Sequence, residues 1–382
     1  MKRKKTKDNN LAKLVVIGIG GAGGNAVTRM NDNLPRGVDL IVVNTDIQDL
    51  NQCLAKKRIY IGKNLTRGLG TGMNPELGRQ AAEENQSEIV EILKGADMVF
   101  LTAGFGGGTG TGALPVIADI ARDLGILTVA IITKPFSFEG FERTRIAEEG
   151  IAGLREKVDT LITIPNDRIF SVINKNTSLI KAFEAIDEIL KNAVVGVAEL
   201  ITMPGLINVD FADIKAIMQN AGSAIIGMGI ASGAERAANA AKFAMSSPLL
   251  ELSIDGARGV LFSISGHRDL KMTEVNEIAR LISETVHSPA KIIFGVHHDR
   301  KLKKGDIKVT LVATGFNGGT RKETGTLPNL FVFEPSVKVE MIAAEKEIHA
   351  IKEKEVSRIR EKKEEKKEDT WDIPAFLRKK KR

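Results

Sequence analysis

The stretch that most restricts the fold is Gly104-Phe105-Gly106-Gly107-Gly108-Thr109-Gly110-Thr111-Gly112, with six glycines in nine residues. Backbone of this kind can adopt φ > 0 and come close to another group with no Cβ in the way. The apolar run from Ala96 to Ala103 before it reads as a buried strand, and Ala113 to Arg122 after it has helical apolar spacing. Strand, glycine turn and helix start are the parts of a phosphate cradle. The threonines add hydroxyl donors, and the helix aims its free N–H groups and positive dipole end at the turn. A flexible linker is the competing reading, but linkers are not bracketed so tightly by a strand and a helix.

Two more glycine loops precede it. Leu11 to Ile17 reads as the first strand and runs into Gly18-Ile19-Gly20-Gly21-Ala22-Gly23-Gly24-Asn25, with Ala26 to Asn31 continuing as helix. This fits G-x-G-x-x-G after a strand, a dinucleotide fingerprint shared by many folds. The strand Val38 to Val43 ends in Asn44-Thr45-Asp46, where a ribose-binding acid could lie. The loop Thr66 to Pro75 then leads into a helix expected from Glu76 to Leu93. A dinucleotide domain needs one such loop, whereas three suit a triphosphate surrounded by backbone N–H groups. The Walker pattern G-x-x-x-x-G-K-[ST] is absent.

The alternation continues with strand Ile126 to Thr133, loop Lys134 to Gly140, helix Phe141 to Lys157 and strand Thr160 to Ile164. It predicts a parallel sheet with helices on both faces. A long helical pattern, Ser178 to Met203, stops at Pro204-Gly205. Beyond it, helices Asp213–Gln219 and Ala234–Phe243 precede strand Gly259–Ser265, and helix Thr273–Thr285 and strands Ile292–His298 and Ile307–Thr314 follow. These read as a smaller α+β domain with a mixed or antiparallel sheet. His297 and His298 would point to opposite faces of a strand, so no metal site is expected from them.

The formal charge of +7 sits at the ends, since residues 1–7 and 378–382 each carry five basic groups and no acid. What remains has 45 basic and 48 acidic residues, which argues against a nucleic-acid-binding face on the body. The single Cys53 excludes an internal disulfide framework and suits a reducing compartment. Neither a signal peptide nor a membrane span is expected.

The GGGTGTG run, GIGGAGGNAV, the NTD at 44–46 and NVDFAD at 208–213 together resemble the FtsZ family, the tubulin-like bacterial division GTPases. The likeness covers roughly residues 11–317 and returns at 372–378. It implies an α/β fold with a Rossmann-like, parallel-sheet GTP-binding domain at 11–177, a central helix at 178–203 and a smaller α+β domain at 204–317. A basic N-terminus at 1–10, a charged linker at 318–370 and a partner-binding peptide at 371–382 complete the organisation.

By this resemblance Gly20, Gly21, Ala22, Gly104, Gly107, Gly108, Thr109 and Gly110 would hold the phosphates of GTP or GDP, with Thr71 and Gly72 near the γ-phosphate. Asn25, Asp46, Thr133, Glu139 and Arg143 would belong to the same site. The bland alternative for Glu139 and Arg143 is an i,i+4 surface ion pair. Asn166, Phe183 and Asp187 would read the base. Phe183 and Asp187 share a helix face, and a carboxylate there accepts from the N–H groups of guanine, which adenine lacks.

Asn208, Asp210 and Asp213 are the implied catalytic residues, although Asn208 or Asp210 could simply cap the next helix. From Phe183 to Met203 a straight helix spans roughly 30 Å, so these carboxylates would reach only a neighbour's nucleotide. A head-to-tail filament follows, with hydrolysis confined to the polymer. Mg²⁺ is expected beside the phosphates. The expected partners are the chain itself, assembly regulators and a membrane adaptor of FtsA-like or ZipA-like kind bound through 372–378, at the cytoplasmic mid-cell division site. A Rossmann oxidoreductase would use only the first glycine motif, and a non-hydrolysing GTP-binding scaffold would not need both Asp210 and Asp213.

Residues 345–369 hold nine acidic and nine basic residues. No acid there has Lys or Arg at i+4, so a fraying helix giving way to a flexible tether is expected.

Overall fold

Near-continuous Val, Ile and Leu runs suit strands covered on both faces, and the N-terminal half is built on them. The strands are Leu14–Ile19 (β1), Val38–Asn44 (β2), Lys57–Tyr60 (β3), Met98–Gly104 (β4), Leu127–Lys134 (β5) and Thr160–Pro165 (β6), all paired in parallel in the order β3-β2-β1-β4-β5-β6. A computed structural model describes residues 12–316 apart from 32–33, 36, 172, 174–176, 204, 247–253, 287–288 and 300. The segments expected at 1–10, 318–370 and 371–382 lie outside the described residues.

Helices Gly20–Met30 (α1), Ile47–Gln52 (α2), Lys63–Thr66 (α3), Pro75–Glu84 (α4), Gln86–Leu93 (α5), Thr109–Asp123 (α6) and Phe141–Leu154 (α7) connect these strands. One face of the sheet packs on α4 to α7 through residues such as Ala81, Ile89, Leu114 and Ile151. The other face packs on α1 and on the long helix Leu179–Thr202 (α8), which buries Leu190, Val194 and Val197 against Val129, Ile131 and Ile162. The strand order reverses between β1 and β4, and in open parallel sheets the crevice outside the carboxyl ends at such a point is where ligands bind.

After α8 come Phe211–Met218 (α9), the strand Gly222–Ser232 (β7), Arg236–Met245 (α10), Gly259–Gly266 (β8), Met272–Thr285 (α11), Lys291–His298 (β9) and Asp306–Thr314 (β10). β7 pairs in parallel with β6 and antiparallel with β10; β10 pairs antiparallel with β8, and β8 parallel with β9. The second half therefore has a mixed sheet, continuous with the first through β7. Leu261 and Val312 lie in the same core as α8, so the long helix is shared by both halves.

Several elements depart from the sequence reading. β7 escaped it because GSAIIGMGIAS shows no clean alternation. Its glycines serve close packing, since a Cβ on Gly227 or Gly229 would run into the α10 carbonyls of Ala244 and Ala240. The single helix expected over 76–93 is two, broken at Asn85 (φ −105°, ψ 20°), whose side chain accepts from the Gly62 N–H at 3.0 Å. Helices α1 and α6 begin inside the glycine runs, at Gly20 and Thr109, several residues earlier than Ala26 and Ala113. The first turn of each helix is itself part of the cradle.

Helices α4 and α6 touch backbone to backbone at Gly112, where a Cβ would collide with the Pro75 carbonyl and sit 2.7 Å from the Arg79 nitrogen. Gly112→Ala should destabilise by about 1–3 kcal/mol through overpacking. Gly153→Ala in α7, where a Cβ meets nothing within 4 Å, should stabilise by about 0.5–1 kcal/mol. Denaturant unfolding of the two variants measures both, with opposite signs expected.

Candidate nucleotide-binding site

A cavity of about 380 Å³ opens at the carboxyl ends of β1 and β4. At one end the starts of α1 and α6 converge, and a Cβ on Gly20 (φ +70°) would lie 3.3 Å from the Gly110 nitrogen. Neither Ile19 nor Gly108, the residues preceding these helices, supplies a side-chain cap. The first N–H groups of two helices of 11 and 15 residues are thus left to face the cavity, a ready anion site. Gly108 is tight against the third loop, because a Cβ there would overlap the Thr71 hydroxyl. The Thr71 and Thr109 hydroxyls are 3.2 Å apart and both line the cavity.

At the other end α8 presents Phe183 and Asp187 on one face, opposite Asn166. The Phe183 ring is 42% exposed, and its edge meets Phe136 at 5.5 Å. Asn166 is buried, and its Oδ1 has no hydrogen-bond partner among the described residues. A buried acceptor of this kind is costly unless a ligand satisfies it. Asp187 accepts from Arg29 Nε at 3.0 Å, and Arg29 also lies 3.6 Å from Glu184. Burial pushes the Asp187 carboxyl above the ordinary aspartate range, while the Arg29 hydrogen bond and charge pull it back. An apolar ring, an orphan acceptor and a carboxylate make a slot for a flat base bearing N–H donors.

Of the expected residues, the cavity wall holds Gly20, Gly21, Ala22, Thr71, Gly104, Gly107, Gly108, Thr109, Gly110, Thr133, Glu139, Arg143, Asn166, Phe183 and Asp187. Glu139 and Arg143 form the i,i+4 ion pair (2.7 Å) of the bland reading and still face the cavity. Glu139 also accepts from the Phe136 N–H at 2.9 Å, which fixes the turn before α7. Asn25 and Gly72 are exposed and stand outside the wall. Asp46 also stands outside the wall, and its Oδ1 caps α2 by accepting from the Gln48 and Asp49 N–H groups (2.9 and 3.2 Å).

Asn208, Asp210 and Asp213 are absent from the wall as well. They lie past the far end of α8, and from Phe183 to Thr202 the helix alone spans about 28 Å. Asn208 accepts from the Gly205 N–H at 2.6 Å. Asp210 occupies the cap position of α9, yet its side chain makes no cap hydrogen bond. Among the described residues neither aspartate side chain has a hydrogen bond or ion pair.

The sequence reading missed Ile19, Phe105, Pro135, Ile186 and Leu190 in the wall, together with Arg29 behind Asp187. Ile186 and Leu190 follow Phe183 at i+3 and i+7, so helical spacing could have found them. No local signal marks Arg29, whose partner is 158 residues away. Among the described residues there is no group of three His, Cys, Asp or Glu that could hold a metal ion.

Residues 13–174 match the family model of the Tubulin/FtsZ family GTPase domain, and residues 222–317 that of the FtsZ family C-terminal domain. The chain is similar to an empty FtsZ dimer from M. jannaschii at 45% identity, covering 81% of this chain and 90% of that one, with a TM-score of 0.78. A mutant form of M. jannaschii FtsZ gives 46% identity, coverage of 80% and 92%, and a TM-score of 0.77. CetZ2 from Haloferax volcanii, in a GTPγS-bound protofilament, shares the fold at 23% identity, with coverage of 79% and 92% and a TM-score of 0.66.

The raised Asp187 carboxyl gives a pH signature. Only the ionised form accepts two N–H groups, so affinity for guanosine should fall as pH drops through a midpoint above the usual aspartate value. Arg29→Ala removes a charge that favours ionisation and should move that midpoint to higher pH, whereas Asp187→Asn should flatten the profile. Calorimetric titration of guanosine across the acid range reads all three.

Proposed function

Since the chain belongs to the FtsZ family of tubulin-like, filament-forming GTPases, we propose that GTP seated in the cavity of one subunit is hydrolysed by carboxylates of the next. The observation that carries this reading is the separation of the two halves of the chemistry. The base slot of the cavity lies at one end of α8, and Asp210 and Asp213, whose side chains have no hydrogen bond or ion pair among the described residues, lie beyond the other. A rigid helix cannot bring them together within one molecule. A head-to-tail contact can, and since it need not close it propagates as a filament.

In that arrangement the starts of α1 and α6, with Thr71 and Thr109, hold the triphosphate, while Asn166 and Asp187 take the guanine edge. Asp210 and Asp213 of the neighbour orient a water toward the γ-phosphate and accept its proton. Positioning and electrostatics carry phosphoryl transfer of this kind. Asn208 steadies the loop through the Gly205 N–H. The wall offers hydroxyls and N–H groups without a carboxylate cluster, which fits an Mg²⁺ held mainly by phosphate oxygens and water. Such an ion supplies charge neutralisation along the phosphates.

The wider role we propose is assembly of the division ring at mid-cell on the cytoplasmic side. The 372–378 peptide, outside the described residues, would recruit a membrane adaptor of FtsA-like or ZipA-like kind, and assembly regulators would act on the filament. Among the described residues no helix is long and apolar enough to cross a membrane.

Phosphate release measured against protein concentration tests the shared site. Specific activity should collapse below a threshold concentration, and activity linear down to nanomolar protein would sink the idea. Asp213→Ala should keep GTP binding while turnover falls about 100-fold or more. Mixed with a variant that cannot bind GTP, such as one altered in the cradle, it should recover activity above the sum of the two alone.

A further inference from the structure

Thr45 lies in the cradle's second layer. It is fully buried, contributes nothing to the cavity wall, and its hydroxyl sits 2.7 Å from that of Thr109. Thr109 in turn is 3.2 Å from the Thr71 hydroxyl. Three hydroxyls from three loops therefore form a chain with Thr109 in the middle. The loops are the end of β2, the segment before α4, and the start of α6. We propose that Thr45 is a positioning residue that makes the Thr109 hydroxyl a donor to phosphate, an inference that rests on the nucleotide reading of the cavity.

The argument is proton accounting. Each hydroxyl carries one proton. Among the described residues Thr109 is the hydrogen-bond partner of the Thr45 hydroxyl. If Thr109 donated to Thr45, the Thr45 proton would be left buried without an acceptor, which is costly. The favoured direction is Thr45 donating to Thr109. Thr109 then keeps its own proton for Thr71 or for the cavity. Phosphate oxygens only accept, so a Thr109 already satisfied as an acceptor by Thr45 can donate to them without conflict. The longer Thr109–Thr71 contact is the one that gives way.

The rest of Thr45 is held independently of its hydroxyl. Its N–H donates to Asn44 Oδ1 at 2.8 Å, and its carbonyl accepts from Thr66 Oγ1 at 3.2 Å. Asn44 is fixed by donating to Asp49 at 2.7 Å. An isosteric Thr45→Val change removes one proton donor and leaves these anchors in place.

The test is displacement of a fluorescent GTP analogue by GTP and by guanosine, which has no phosphate, from the full chain. Thr45→Val should weaken GTP by up to about ten-fold, through loss of the neutral Thr45–Thr109 hydrogen bond that orients the donor, and leave guanosine unchanged. Thr45→Ser, which keeps the O–H, should return GTP affinity to within about two-fold of the parent. Thr45→Cys, a weak donor, serves if the Val variant does not fold, and should behave as Val is expected to. Unchanged GTP affinity in the Val and Cys variants, an equal loss for guanosine, or a Ser variant as weak as Val each overturns the proposal. Failure of the parent protein to bind GTP at all would instead overturn the nucleotide reading.

Discussion

One unbroken helix sets the terms for everything else. α8 runs 24 residues with no glycine or proline kink that would let its ends approach; its one glycine, Gly196, serves packing, since a Cβ there would lie 2.6 Å from the Thr310 side chain. Leu190, Val194 and Val197 bury it against the parallel sheet, and Leu261 of β8 and Val312 of β10 belong to the same core. Lys308 on β10 reaches Glu199 at 3.0 Å, a further tie between the helix and the second half. The base slot and the loop with Asp210 and Asp213 therefore sit at fixed separation. A molecule so built keeps those two carboxylates away from its own base slot.

The phosphate end draws its order from backbone meeting backbone. Gly20 against Gly110, Gly112 against Pro75 and Gly108 against the Asn74 carbonyl are contacts that any side chain would spoil. Because they involve main chain, the N–H groups they align belong to helix starts and cannot swing away as a lysine would. This explains how the site dispenses with the Walker lysine. Preorganised helix dipoles at the crevice take its place. The base end works differently, through one buried carboxylate whose burial cost is partly offset by Arg29.

Much of this could be read from the chain, and the limits have physical reasons. The glycine runs announce themselves because few other folds need six glycines between a strand and a helix. Phe183 and Asp187 were legible as a pair since helical spacing puts them on one face. β7 was hidden because its glycines answer to α10 packing rather than to strand propensity. The capping role of Asp46 was not legible, because an acid at a strand end reads equally as a ligand and as a helix cap and nothing local distinguishes the two. Arg29 and Thr45 were invisible for a common reason: each acts through a side chain 158 or 64 residues away, a proximity that only the folded sheet creates.

Charge decides what the site must recruit. The cavity wall carries one arginine, Arg143, against two acids, Glu139 and Asp187, so its formal charge at neutral pH is 1 − 2 = −1. Arg143 is already paired with Glu139, and the cation beside Asp187 is turned toward the base end. A triphosphate placed here gains helix dipoles and hydroxyls but little net positive charge, which is why the proposed mechanism calls for a divalent cation alongside it. A neighbour that adds two more carboxylates makes the electrostatics worse. The free energy of the head-to-tail contact must therefore come from elsewhere on the interface. Leu206, 78% exposed on the loop leading to those carboxylates, and Leu69, 82% exposed two residues before Thr71, are apolar surface available to the head-to-tail contact of the proposed filament.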